Sequence, residues 1–91
     1  LYGSRFFGAV TKIDPILVEV ERAPGPLDLT LDARMMVSLD TTGLDALEQL
    51  HKAVKRRGGR LAFIDLQAQP ASLMARSGFA GRLAGEERPD R

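Results

Sequence analysis

An α/β fold, with a small, mostly parallel sheet and helices packed on it, is predicted by three stretches of this 91-residue chain. Leu44, Leu47, Leu50, His51 and Val54 form the apolar stripe of a helix. Ahead of it Leu27, Leu29, Leu31 and Ala33 alternate with polar residues, as in a strand with one buried face. Behind it Leu61-Ala62-Phe63-Ile64, with Leu66, is a nearly continuous apolar run, the pattern of a strand covered on both faces. Strands separated by helices pair in parallel, because the helix supplies the crossover that parallel strands need.

Taken in order, Phe6, Val10, Ile13, Leu17 and Val20 recur at helical spacing and predict an amphipathic helix over roughly 7–22. Pro15 interrupts it. With Asp14 as cap and Pro15 at the first position, a kink or two short helices are expected. A strand over Ile16-Leu17-Val18-Glu19-Val20 fits the same residues. Ala23-Pro24-Gly25-Pro26 forces a turn, and a strand follows near 27–33. Met35 to Leu39 lead into the clearest helix, about 42–57. It closes on Lys55, Arg56 and Arg57, which suit the negative end of the macrodipole, with Gly58-Gly59 as a left-handed cap. After the strand at 61–66, Pro70 opens a short helix with Leu73 and Met74 inward, stopped at Ser77-Gly78. Phe79 and Leu83 anchor a last element. One domain is expected over 1–84, with a flexible polar tail over 85–91 that has no apolar residue to pack. The chain opens on Leu1 rather than Met, with Leu1-Tyr2 read as the stub of a strand, and a piece of a longer protein is expected.

Composition narrows the function. Hydrophobic content of 44% and charged content of 27% are those of an ordinary globular protein. A net charge of +1 gives no general case for nucleic acid or membrane binding. The absence of cysteine removes disulfides and thiolate chemistry. No apolar run approaches the ~18 residues that cross a bilayer. The glycines do not fall at Walker or Rossmann spacing, so nucleotide binding has no motif behind it. No cofactor is expected.

One corner stands out. Leu39-Asp40-Thr41-Thr42-Gly43-Leu44 closes a period-2 segment and opens a period-3.6 one, so it marks a strand-to-helix turn carrying two hydroxyls and a glycine between Asp40 and Asp45. The exposed start of a helix is a place where a partner's groups are read through free backbone N–H donors. Asp40, Thr41, Thr42, Gly43 and Asp45 are therefore the candidate partner-binding residues.

With these elements in place the chain resembles the STAS domain, shared by bacterial anti-sigma factor antagonists and by the cytoplasmic C-terminal part of SulP-family sulfate and anion transporters. The matching residues are Leu29-Thr30-Leu31-Asp32, then Val37-Ser38-Leu39-Asp40-Thr41-Thr42-Gly43-Leu44, then Leu47, Gly58, the strand Leu61 to Leu66, and Leu73 to Gly78. Gly3-Ser4-Arg5-Phe6-Phe7-Gly8-Ala9 is similar to a segment typical of the transporter-linked branch, with Arg5 where leucine is usual. Two features depart from the pattern. The family's first strand, which precedes Gly3, is almost absent, and its last helix has no clear counterpart after Leu83. Either departure would open a strand edge or an apolar surface and favour a homodimer.

The resemblance implies a non-catalytic regulatory domain at the cytoplasmic face of the inner membrane, joined covalently to a transporter and docking on its membrane part. The alternative is a stand-alone antagonist that binds an anti-sigma factor or kinase and is released by phosphorylation at Thr42. The residues themselves offer a simpler reading of Thr42, as an N-cap accepting from the Asp45 N–H. Asp40 either orients a partner's basic group or satisfies backbone donors. Asp32 is read as a turn former. Asp32 and Asp40 together would suit a metal or acid–base site only with a third ligand, so an enzyme fragment is the remotest reading and no metal site is expected. His51 is a packing residue, and Met35, Met36 and Met74 are core fillers. Lys52, Lys55, Arg56, Arg57 and Arg60 form a solvated basic helix end, with a Glu48–Lys52 pair at i, i+4. That cluster would otherwise suit anionic lipid or an acidic protein, while nucleic acid is disfavoured for want of interleaved aromatics.

Overall fold

A computed structural model describes residues 3–23 and 25–86, with side chains to residue 83. Strands β1 (Gly3–Phe7), β2 (Leu27–Asp32) and β3 (Leu61–Ile64) alternate with helices α1 (Asp14–Arg22), α2 (Thr41–Arg56), α3 (Ala68–Ser77) and α4 (Phe79–Glu86). The sheet runs β1-β2-β3 and is parallel throughout. Leu29 pairs with Arg5 on one side and Leu61 on the other, which puts all three on one face. The expected α/β architecture is therefore present.

The core lies between that face and the helices. Leu29 and Leu31 from β2 meet Ile16 and Val20 of α1, Leu47, Leu50 and Val54 of α2, Met74 of α3 and Phe79 of α4, all 4% exposed or less. Each such aliphatic side chain contributes roughly 1.5–3 kcal/mol by leaving water. Near-complete burial of Phe79 shows that α4 is part of the fold rather than an appendage. The other face of the sheet is bare: Ser4, Phe6, Ala62 and Ile64 are exposed, Phe6 at 58%.

The close of α2 follows the sequence expectation. Gly58 adopts φ +80°. The Gly58 N–H donates to the Lys55 carbonyl at 2.9 Å and the Gly59 N–H to the Val54 carbonyl at 3.0 Å, the paired bonds of a Schellman turn. The chain then passes close to β2, since a Cβ on Gly59 would stand 1.9 Å from the Leu27 carbonyl oxygen. Gly78, at φ +89°, ends α3 in the same left-handed conformation.

Several expectations need correction. The helix predicted over 7–22 begins only at Asp14, and Phe7 closes β1 instead. Val10 and Ile13 are buried from an irregular loop, so their spacing from Phe6 is coincidental. The strand reading of residues 16–20 also fails, because these residues lie within α1. Residues 3–7 form a strand that pairs along β2, while the strand expected to be almost absent precedes Gly3 and lies outside the described residues. β3 is not covered on both faces, because Ala62 and Ile64 face outward from an edge strand. Met35 is 55% exposed and fills no core, unlike Met36 and Met74. Glu48 pairs with Arg82 of α4 at 2.8 Å rather than with Lys52. Helix α4 runs through Gly85 and Glu86, two residues into the predicted tail. Residues 87–91, Leu1-Tyr2 and Pro24 lie outside the described residues.

Candidate functional site

Because the strands are parallel, the loops that follow β1 and β2 leave the sheet at the same end, where ligands and partners of open α/β sheets are usually met. There the β1–α1 loop (Thr11, Lys12, Ile13) and Asp14 face the segment Met36 to Leu39 and the first turns of α2 across a cleft of about 550 Å³. Asp40, Thr42 and Gly43 line it. Thr41 and Asp45 are exposed beside it on α2.

The corner is built from its own side chains. Asp40 sits in extended backbone, at φ −106° and ψ −178°, and its Oδ1 accepts the Gly43 N–H at 2.8 Å. It is the N-cap of α2, and of the two readings of Asp40 the backbone-satisfying one is realised. The predicted Thr42 cap is displaced by it. Thr41 and Thr42 are the first two helical residues, and both are exposed. Asp45 accepts from the Gln49 side-chain amide at 3.0 Å, one helical turn on. A Cβ on Gly43 would lie 2.7 Å from Leu39 Cδ1, so the tip of that side chain would have to turn aside.

Leu39 is itself held from afar. Its backbone N–H donates to Gln69 Oε1 at 2.6 Å, and its carbonyl accepts from Gln69 Nε2 at 2.9 Å. Gln69 lies on α3, thirty residues away in sequence. Nothing in the periodicity singles out Gln69, nor Lys12 and Ser38 on the cleft wall. The parallel topology was the available signal for Lys12, since it brings the loops after β1 and β2 to one end.

Asp32 is not paired with Asp40 in a site. Its carboxylate is 1% exposed and accepts the Arg34 backbone N–H at 3.1 Å and the Arg34 guanidinium at 3.0 and 2.6 Å. The Arg34 N–H, above all, holds the carboxyl below the usual range against the opposing effect of burial, with the guanidinium and the Ala9 N–H adding to the depression. Its carbonyl accepts the Val10 N–H at 3.0 Å. Asp32 thus ties the two cleft-forming loops together at the sheet's C-terminal end, in the turn-forming role read from the sequence. Among the described residues no group of three or more His, Cys, Asp or Glu could hold a metal.

A family model described as the STAS domain matches residues 2–87, nearly the whole chain. This chain belongs to the STAS domain family. It is also similar to Putative sulfate transporter YvdB of Bacillus subtilis (strain 168), at 30% identity over 82 residues. That match takes in 89% of this chain but only 15% of the transporter's length. No solved structure matches.

Within this STAS domain His51 and Arg57 have structural partners. His51 is buried against Phe79, edge to face, with ring centroids 5.5 Å apart. Arg57, read as part of a solvated basic end, is half-buried and donates to the carbonyls of Glu21 and Ala23, clasping the end of α1. Lys52, Lys55, Arg56 and Arg60 remain exposed. Among the described residues no helix is long and apolar enough to cross a membrane.

Proposed function

We propose that this STAS domain is a non-catalytic regulatory module of a SulP-type sulfate or anion transporter, carried at the cytoplasmic face of the membrane. It docks through the Asp40–Asp45 corner and the adjoining face of α2 on the transporter's membrane part or another protein, and so biases transport. The observation that carries the reading is the exposed corner, with Asp40, Thr41, Thr42 and Asp45 all open to solvent on a helix whose other face is locked into the core. The likeness to a sulfate transporter supports the transporter context. The engagement of Asp32 by Arg34 supports a non-catalytic role, since it removes one of two candidate carboxylates.

The test uses the full-length protein that carries this domain. Sulfate uptake into vesicles is compared for the native protein, Thr42→Glu and Asp45→Lys. Altered uptake with an unchanged thermal midpoint of the 91-residue domain is expected. Uptake unchanged in both variants would remove the docking role of the corner.

The stand-alone antagonist remains the second reading, favoured by one observation. Capping falls to Asp40, so the exposed Thr42 hydroxyl is not committed to the helix end. A phosphoryl group there would add about −1.5 to −2 charges at a helix N-terminus beside Asp40 and Asp45. Mass spectrometry after incubation with ATP and native cell extract separates the readings, since stoichiometric phosphate on Thr42 belongs to the second alone.

A further inference from the structure

We propose that Gln69 is a positioning residue that makes the docking corner and helix α3 one mechanical unit, so that a displacement of either is felt by the other. The inference takes only the corner's identity from the reading above.

Residues 36–40 have no regular secondary structure, and Val37, Ser38 and Asp40 are exposed. Both backbone polar groups of Leu39 are nonetheless satisfied by the single amide of Gln69, at 2.6 and 2.9 Å. A primary amide that accepts from an N–H and donates to the C=O of the same residue reproduces the pairing a neighbouring strand would give. The Leu39 side chain in turn lies over Gly43, where even one added carbon would approach Cδ1 to 2.7 Å. Asp40, the next residue, caps α2 through that same Gly43 N–H. Gln69, Leu39 and Gly43 therefore interlock α3, the loop and the first turn of α2 in series. The link runs along the surface, since both Gln69 and Asp40 are exposed, and is independent of the buried contact between α2 and α4 through His51 and Phe79. Coupling between two places is reciprocal, so a group pressing on the corner must loosen or tighten α3 by the same factor that α3 loosens or tightens the corner.

The experiment is hydrogen exchange followed by mass spectrometry on the 91-residue chain, with no partner present, so it can fail while the docking reading stands, and the converse. Gln69→Leu should raise exchange at residues 36–43 by roughly ten- to a hundredfold, the scale of the two surface hydrogen bonds lost, and leave amides beyond Leu47 unchanged. Gly43→Ala, which pushes Leu39 outward, should raise exchange in residues 68–72, and should do so far less in a Gln69→Leu background. Gln69→Glu gives a readout that simple packing would not. Ionised, it still accepts the Leu39 N–H but cannot donate to the Leu39 carbonyl, whose oxygen it repels. Protonated, it both donates and accepts, so its protection should return toward the native value below about pH 4. Should Gly43→Ala prevent folding, Leu39→Ala replaces it and must loosen residues 68–72 in the same Gln69-dependent way. An effect on 68–72 that persists undiminished without Gln69, or no acid recovery in Gln69→Glu, overturns the coupling.

Discussion

Asp40 shows how one side chain decides between two accounts of a corner. Its carboxylate takes the Gly43 N–H, so it is a structural cap first. Asp40→Ala should cost about 1 kcal/mol, read as a lower urea midpoint with an unchanged slope. Thr42→Glu, at an exposed position in the first turn, should leave stability within about 0.5 kcal/mol, because an acid is welcome near a helix N-terminus. The two variants separate loss of the cap from loss of the surface. Asp32 carries the pH dependence. Its carboxyl is depressed below the ordinary value by Arg34 in the folded state. The stabilisation is therefore complete above the unfolded value of about 3.9 and is lost as pH falls through the lower folded value. Asp32→Asn should flatten the acid limb of a stability profile followed by urea denaturation, because the variant has no proton to take up there. Sequence reasoning saw Asp32 as a turn former and Asp40 as one of two things. It could not see Arg34 folding back, since that depends on where the chain goes after β2.

Among the elements, α2 was the most legible, because its stripe, its basic end and its Gly58 cap all point the same way. The two glycines beyond it test different physics. Gly58→Ala meets only the Pro26 ring at an ordinary contact distance of 4.0 Å but is forced to φ +80°, and should cost about 1–2 kcal/mol. Gly59→Ala would place a carbon 1.9 Å from backbone that cannot yield, and should cost about 3 kcal/mol or more, enough to abolish cooperative unfolding in a domain this small. A calorimetric scan of both variants ranks the two effects. The N-terminal third was misread at this same scale. Phe6 is an exposed strand residue while Val10 and Ile13 are buried loop residues, and three positions from two different structures mimicked one helical face. Pairing of β1 along β2 overrode that local pattern.

Across the whole molecule, helices cover one sheet face and leave the other to solvent. Phe6, at 58%, and Ile64, at 42%, are the large apolar side chains exposed there. The expected homodimer has its test here. If copies associate through this face or its edges, Phe6→Lys should shift sedimentation toward the monomer while leaving the unfolding midpoint almost unchanged, since more than half of the side chain is already open to solvent. Phe79→Ala is the opposite case. Its ring is fully buried and joins α4 to His51 of α2, so its loss should cost about 3–5 kcal/mol in a chemical denaturation curve.

The order of elements from β2 onward, the parallel sheet, the C-terminal glycine cap of α2 and the location of the polar corner were all determined by the sequence alone. Each rests on short-range rules of periodicity, capping and turn chemistry. Which face of the sheet stays bare and what holds Leu39 and Glu48 were decided only by the tertiary structure. Those outcomes depend on partners some thirty residues away, such as Gln69 for Leu39 and Arg82 for Glu48, and no local pattern encodes where a distant side chain will arrive.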